Sequence, residues 1–255
     1  VSGERRPFVV AGGIVRNRAW ILRRHLLHVS TQGVIEGEEW CRPAQMFYLT
    51  GDNEDDTEDI LSFRHSGLWD VPVSYARHDT GWDGFERVGR DGRPPYSTEN
   101  MAKLRNEWLR GCLARWPELT HVWVVDSDVL PDSDVLAALL RLDKPVVAAR
   151  VPIADGVTPI YMEGLELVAT HFGKGAEVWA PRRTGNEKLR FLPFEATCIG
   201  GCYLIRRDAI DAGVRWYVNG IMRAEDGGFA DSCRELRIEM WAEPLAACQH
   251  VMERP

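Results

Sequence analysis

Two rhythms of apolar residues alternate along the chain. Phe8–Val15 is an unbroken run of apolar and small residues, the length of a strand buried on both faces. Ala19–Val29 then spaces its apolar positions as an amphipathic helix does. Gln45–Thr50 reads as a second strand, followed by a strongly acidic turn and a helix from about Asp56 to Arg64. Val71–Ala76 is a third strand, and the Gly-rich stretch 79–97, with its Pro94-Pro95 pair, is a loop. Ser97 caps a helix from Thr98 to Arg115. His121–Val125 is a short apolar strand ended by Asp126, after which Pro131–Leu142 reads as a helix and Pro145–Val151 as a strand. Residues 152–195 mix Gly, Pro and charge without a clear period. Cys202–Ile205 (strand), Arg207–Ala212 (helical turn), Glu225–Leu236 (helix) and Ile238–Glu243 (strand) complete the pattern. Strands alternating with helices predict an α/β fold, a sheet covered by helices. No repeat or linker divides the chain, so a single domain over 1–255 is expected.

Composition narrows the partners. The 255 residues are 45% hydrophobic and 27% charged, an ordinary globular balance. The net charge of −7 is the wrong sign for a duplex-binding surface, so nucleic acid is not an expected partner. No apolar run reaches the roughly 18–20 residues of a membrane span, and the N-terminus lacks the apolar stretch of a secretory signal. A cytoplasmic location follows as the expectation. The six cysteines are scattered and read as buried thiols; Cys198 and Cys202 have no second short pair to complete a zinc site.

The chemistry concentrates where the apolar strand of HVWVVDSD ends in Asp126-Ser127-Asp128. Ligands of open α/β sheets lie beyond the carboxyl ends of strands, and two carboxylates there suit a hard divalent cation, Mn²⁺ or Mg²⁺. The D-x-D spacing also arises by chance, and Asp132-Ser133-Asp134 repeats it. That second copy opens a predicted helix after Pro131, where Asp and Ser satisfy unpaired N–H groups, and it reads as capping. The acidic turn Gly51-Asp52-Asn53-Glu54-Asp55-Asp56-Thr57 also follows a strand. It is no EF-hand, since Thr57 and Phe63 stand where Gly and Glu would be required, and a solvated turn with a helix cap explains it equally well. The helix before the D-x-D carries Lys103, Arg105 and Arg110; 103 and 110 share a face that either meets a phosphate or is simply solvated.

With these residues in view, the chain resembles glycosyltransferase family 2, nucleotide-sugar transferases of the GT-A (Rossmann-like) fold with a mixed sheet flanked by helices. VRNRAWILRRHL and DNEDDTEDIL resemble the family's opening, Asp126-Ser127-Asp128 its D-x-D, GGCYLIRRDAI its Gly-Gly strand, and RAEDGGFADSCRELRIEMWAEPLAACQH its closing block. The landmarks run in family order over roughly residues 8–250. The resemblance implies a nucleotide-binding half over about 1–130 and an acceptor-binding, catalytic half over about 131–255. It implies that Ile14, Arg16 and Asp52 hold the nucleoside; Lys103 and Arg105 of the basic helix, with Asp126 and Ser127, are then expected on the donor side. Asp128 would bind the metal, with Asp126 near the ribose and metal waters and His250 as a further ligand. Glu225-Asp226 matches the acidic pair in which the Asp acts as general base of inverting members. The sequence departs from the family at Glu54, commonly Ser, and at Gly227-Gly228, which is expected to loosen the helix start. Region 152–195 matches no landmark.

The implied reaction is hexosyltransferase-like: a sugar passes from a nucleoside diphosphate sugar to an acceptor hydroxyl, by single displacement with inversion. A cation against the departing diphosphate lowers the barrier, and Asp226 takes the acceptor's proton, its basicity raised by Glu225. Glu225-Asp226 also suits plain stabilisation of a helix N-terminus. Trp82, Trp179 and Trp216 fall in loop-like sequence, where a ring either stacks on a sugar or joins the core, and 79–97 is a lid candidate. Two other classes stay open. A sugar-phosphate nucleotidyltransferase normally has a Gly-rich loop after its first strand, whereas Gly12-Gly13 lie inside it. A non-catalytic nucleotide-sugar or glycan-binding module would leave Glu225-Asp226 idle. The acceptor, be it saccharide, small natural product, lipid or protein, is not specified, and retaining enzymes share the fold and the metal motif.

Overall fold

Strand residues that alternate between two apolar clusters build this molecule: Val122 and Val124 pack with one cluster, Trp123 and Val125 with the other. A computed structural model describes residues 6–33, 41–63, 69, 71–79, 97–152, 165–168, 178–181, 192–218 and 225–251. In chain order the elements are β1 (Val9–Val15), α1 (Ala19–Ser30), β2 (Gln45–Thr50), α2 (Thr57–Ser62), β3 (Val73–Arg77), α3 (Ser97–Arg115), β4 (His121–Val125), β5 (Val129–Pro131), α4 (Val135–Leu142), β6 (Val146–Arg150), β7 (Leu165–Val168), β8 (Val178–Pro181), β9 (Phe194–Glu195), β10 (Cys202–Arg206), α5 (Arg207–Asp211), α6 (Glu225–Glu235) and β11 (Met240–His250). The main sheet runs β3-β2-β1-β4-β10-β6-β11-β5, with β9 also on β11, and β7 pairs β8 separately. β1 to β4 are mutually parallel, β10 is antiparallel to both its neighbours, and β6 is parallel to β11. This is the expected α/β mixed sheet flanked by helices.

One face is covered by α3 and α6, through Trp108, Leu109, Cys112 and Phe229. The other is covered by α1 and α4, through Leu22, Leu26, Val29, Val135 and Leu139. All six cysteines are buried and none is disulfide-bonded, as their scatter suggested. Gly12 permits the close pairing of β1 and β2. Its φ of +141° is a glycine conformation, and a Cβ there would lie 1.9 Å from the Phe47 carbonyl oxygen. The Gly12-Gly13 pair therefore serves strand packing inside β1 and forms no phosphate loop.

Two expectations fail near the D-x-D. Pro131 ends the short strand β5, and the helix begins at Val135. Asp134 makes no side-chain cap bond to α4, so the second D-x-D is not its cap. The cap comes from the turn after α1 instead: Gln32 Oε1 accepts the Leu136 N–H at 3.0 Å, while Gln32 Nε2 donates to Asp132 O at 2.8 Å. The last strand does not stop at Glu243. It continues through an irregularity between Glu243 and Ala247, leaves β6, and pairs antiparallel with β5 up to His250. A bulge lets the strand accept Pro244 and change neighbours, a device that alternation alone does not reveal.

Candidate active site

β4 delivers Asp126 to the edge of the sheet where β1, β2 and β3 also end. The Asp126 N–H donates to Gly201 O at 2.8 Å, and a tight turn follows, closed by Val129 N to Asp126 O at 2.9 Å. That turn separates the two carboxylates and starts β5, whose Val129 pairs with His250. The Val251 N–H donates to Asp128 O at 2.9 Å. Asp128 and His250, 122 positions apart in sequence, thus become neighbours, with Asp128 Oδ1 3.7 Å from His250 Nε2.

Their donor set fits a divalent ion. His250 Nδ1 lies 3.0 Å from the Pro152 carbonyl, which can only accept, so Nδ1 carries the proton. Nε2 is then the ring nitrogen left to face Asp128, and an N–H held by a backbone carbonyl on the far side of the ring is the usual second-shell arrangement of a metal-bound histidine. The 3.7 Å gap is too long for a hydrogen bond. It is also shorter than two metal–ligand bonds end to end, about 4.1–4.3 Å, so one ion can touch both atoms. The other carboxylate oxygen, Oδ2, accepts a bond from Arg18 Nη2 at 3.2 Å. Among the described residues no third His, Cys, Asp or Glu completes a metal cluster. Magnesium-like ions commonly take only one or two protein ligands and complete their shell with water and phosphate.

Arg105 forms the second centre. α3 buries its guanidinium to 5% exposure, with Nη2 2.9 Å from Asp126 Oδ1 and 3.6 Å from Glu225 Oε1. Burial alone would lower its pKa. The charges of Asp126, Asp226 and Glu225 outweigh burial and hold it well above the ordinary arginine value. Nε and Nη1 of Arg105 are buried without a hydrogen-bond partner among the described residues. Such donors, at the meeting point of β4, α3 and α6, are what a bound anion would satisfy. The neighbouring Asn106 joins the halves of the chain: its Nδ2 donates to Trp216 O at 2.7 Å and its Oδ1 accepts the Trp216 N–H at 3.1 Å.

α6 starts at Glu225, so both acids of the pair lie in its first turn. The Gly-Gly that follows does not loosen this start. A Cβ on Gly228 would lie 1.6 Å from Tyr217 O, so glycine is what lets α6 press against the segment carrying Trp216 and Tyr217. Trp216 is 2% exposed, stacks on Phe229 at 5.0 Å and donates from Nε1 to Tyr203 OH at 2.8 Å. It is a core residue and no sugar platform. Trp82 and the 80–96 stretch lie outside the described residues, and for Trp179 only the backbone is described, in β8.

The proposed nucleoside side is partly assembled. Arg16 Nε donates to Asp52 O at 3.0 Å, and Asp52, at φ +47°, donates its N–H to Asp79 Oδ1 at 3.0 Å. Ile14 is half-buried and packs against the core. The rest of the acidic turn fastens α1: Asp55 Oδ2 accepts Ala19 N–H at 3.0 Å and Thr57 Oγ1 accepts Arg18 N–H at 2.8 Å. Across the same junction Asn53 Oδ1 accepts the Asn17 N–H at 2.9 Å and Asn17 Oδ1 accepts the Glu54 N–H at 2.8 Å. Lys103 is exposed, about 200° around α3 from Arg105, and is not brought to the centre. Arg110 is exposed too, so the 103/110 face is a solvated one. Ser127 is 7% exposed, tucked under the turn while its two flanking carboxylates stay partly open.

The sequence reading missed what holds the D-x-D from behind. His25 Nδ1 donates to Val129 O at 2.9 Å and Nε2 accepts from Tyr48 OH at 2.9 Å. Burial lowers the His25 pKa to about 4, so the ring is neutral at pH 7. His28 Nδ1 donates to Pro131 O at 3.0 Å. His25 and His28 on α1, with Gln32 in the turn that follows it, thus clasp β5 and the start of α4. Their i, i+3, i+7 spacing was the available signal. Arg18, at the N-cap of that helix, was missed as well.

No protein-family model and no curated protein sequence matches this chain. Solved structures do, with probability 1.00. S. aureus TarS 1–349 in complex with UDP-GlcNAc is 12% identical at a TM-score of 0.56, covering 98% of this chain and 59% of TarS 1–349. A further S. aureus TarS structure is 14% identical at a TM-score of 0.53, covering 96% and 37%. GalNAc-T7 with UDP, GalNAc and Mn²⁺ is 12% identical at a TM-score of 0.61, covering 98% and 45%. The chain therefore spans less than two thirds of the length of each of these proteins. TarS and GalNAc-T7 are glycosyltransferases of GT-A-like fold, and this chain shares that GT-A-like fold.

Proposed function

We infer that the chain is a metal-dependent glycosyltransferase acting on a nucleoside diphosphate sugar. The observation that carries this reading is the convergence, at one sheet edge, of Asp128 with His250 and of Arg105 with Asp126 and Glu225. Structures of the same fold hold UDP-GlcNAc in TarS and UDP with Mn²⁺ in GalNAc-T7, which favours a uridine nucleotide here. Asp128 and His250 are the residues that would hold Mn²⁺ or Mg²⁺, which when bound neutralises charge growing on the departing diphosphate. The chain's own residues supply the rest. Arg16 and Asp52, with Ile14 beneath them, bind the nucleoside, and Asp126 faces the ribose. Arg105 fixes Asp126 and Glu225 and offers its unpaired N–H groups towards the donor, so the phosphate contact read for Lys103 falls to Arg105. Asp226, beside Glu225 at the start of α6, takes the proton of the attacking acceptor hydroxyl, giving inversion. The amino-terminal half thus serves the donor, and the second half contributes His250 and the acid pair. The chemistry of the acceptor is left open.

The test is donor hydrolysis, with water as the acceptor. UDP-, GDP-, CDP- and dTDP-sugars are incubated with the protein, with Mn²⁺ or EDTA, and release of the diphosphate is followed. The reading expects one base class to be hydrolysed. EDTA and Asp128→Asn should abolish the reaction, and Asp226→Asn should slow it by roughly 10²–10⁴-fold. Absence of release from every donor would refute the reading.

A further inference from the structure

Resting on the reading of Asp128 and His250 as a divalent-ion site, we propose that Arg18 is a second, mobile cation of the diphosphate site. It holds Asp128 while the nucleotide site is empty and turns to the diphosphate when the donor binds. The backbone of Arg18 is fixed, because its N–H donates to Thr57 Oγ1 at 2.8 Å and its carbonyl accepts the N–H groups of Ile21 and Leu22. Its guanidinium is barely committed. Among the described residues, one of its five N–H donors is engaged, by Asp128 Oδ2 at 3.2 Å, and the buried Nε has no partner. A charge-assisted bond between committed partners is shorter, about 2.7–2.9 Å. The side chains are 35% and 21% exposed, so the pair sits at the rim of the site, within reach of an incoming ligand.

Charge explains the exchange. Asp128 carries a single negative charge, which Arg18 holds on Oδ2 and which a cation held by Asp128 and His250 would have to share. Without nucleotide the two cations repel, and Arg18 weakens metal binding. A diphosphate brings further negative charge and acceptor oxygens, so ion and guanidinium can then be held together. Arg18 thereby couples the two ligands: each binds better after the other, and by linkage the coupling is reciprocal.

Calorimetric titration of the full chain tests this, with Mn²⁺ alone, Mn²⁺ plus inorganic pyrophosphate, and Mn²⁺ plus UDP. Arg18→Met keeps the aliphatic stem and removes the charge; Arg18→Gln serves if the Met variant does not fold, and Arg18→Lys keeps charge without the fork. The neutral variant should bind Mn²⁺ alone about two- to fivefold more tightly. It should bind UDP and pyrophosphate, with Mn²⁺ present, about tenfold or more weakly. Arg18→Lys should fall between the neutral variant and wild type. Unchanged diphosphate affinity, or weaker binding of Mn²⁺ alone, would overturn the proposal and reduce Arg18 to a prop for Asp128. A wild-type protein that binds neither diphosphate in the presence of Mn²⁺ would instead sink the glycosyltransferase reading beneath it.

Discussion

Arg105→Met removes the buried guanidinium that lies 2.9 Å from Asp126 and 3.6 Å from Glu225 and whose charge also acts on Asp226. Breaking a buried ion pair from one side costs about 3–5 kcal/mol. Asp126 is 33% exposed, so water screens part of the loss and the lower end, about 3 kcal/mol, is expected at pH 8. For a chain of this length that lowers Tm by roughly 6–12 °C. The sign of the pH dependence is diagnostic. Without Arg105 the crowded carboxylates are harder to ionise in the folded than in the unfolded protein, so the folded state binds more protons in mild acid. The deficit of the variant relative to wild type must therefore shrink as pH falls from 8 to 5. Urea unfolding at both pH values, for wild type, Arg105→Met, Asp126→Asn and the double variant, measures deficit and coupling together. A deficit under about 1 kcal/mol that does not change with pH would refute the picture of Arg105 as the charge that gathers this site.

Other parts of the account are equally exposed to measurement. Gly228→Ala places a methyl group against Tyr217 O and should destabilise the protein by at least about 3 kcal/mol in urea unfolding, with diphosphate release impaired through Asp226. Gln32→Ala leaves the Leu136 N–H and the Asp132 carbonyl without their partner and should cost roughly 1–3 kcal/mol, whereas Asp134→Ala should fall within about 0.5 kcal/mol of wild type; equal effects would restore Asp134 as the cap. His25 and His121 are each held down to a pKa of about 4, burial being the main cause. Their unfolded value is higher, so the unfolded state takes up protons first. Stability is full above about pH 6.5 and falls by roughly 3 kcal/mol per residue towards pH 4. In His25→Asn, whose amide nitrogen can still donate to Val129 O, unfolding midpoints should decline less steeply over that window.

The sequence carried much of this fold because local and tertiary preferences agree in its first half. β1 and the interiors of β2 and β4 are unbroken apolar runs, and the strands Gln45–Thr50 and His121–Val125 are found with the boundaries the sequence marks. The errors occur where a distant element decides the local structure. Pro131 suits a helix start by propensity, yet β5 forms because β11 runs past it, and β11 reaches it only through the irregularity beyond Glu243. Capping by Asp134 was reasonable from nearest neighbours, but Gln32, a hundred residues away, takes the role. For the site, residue type and strand-end position marked Asp126 and Asp128, whereas only the family resemblance marked His250, seven residues beyond the predicted strand end. They could not show that Arg105 points inward while Lys103, two residues earlier, stays in solvent. Nor could they find Arg18, because an arginine at a helix start has no signature until its partner across the chain is known. Trp216 was left open between sugar stacking and the core for the same reason: its loop-like sequence gives no sign of Phe229 and Tyr203, which bury it.

The most direct test of the account is UDP binding by thermal shift, with Mn²⁺ or EDTA, for wild type, Asp128→Asn and His250→Ala. A ligand at about 100 times its Kd stabilises the folded protein by about 2.7 kcal/mol, a shift of several degrees. The account predicts that shift in wild type with Mn²⁺, its collapse in EDTA and in Asp128→Asn, and a reduced shift in His250→Ala. A UDP shift that is the same in EDTA and in both variants would contradict it, placing the nucleotide away from Asp128 and His250.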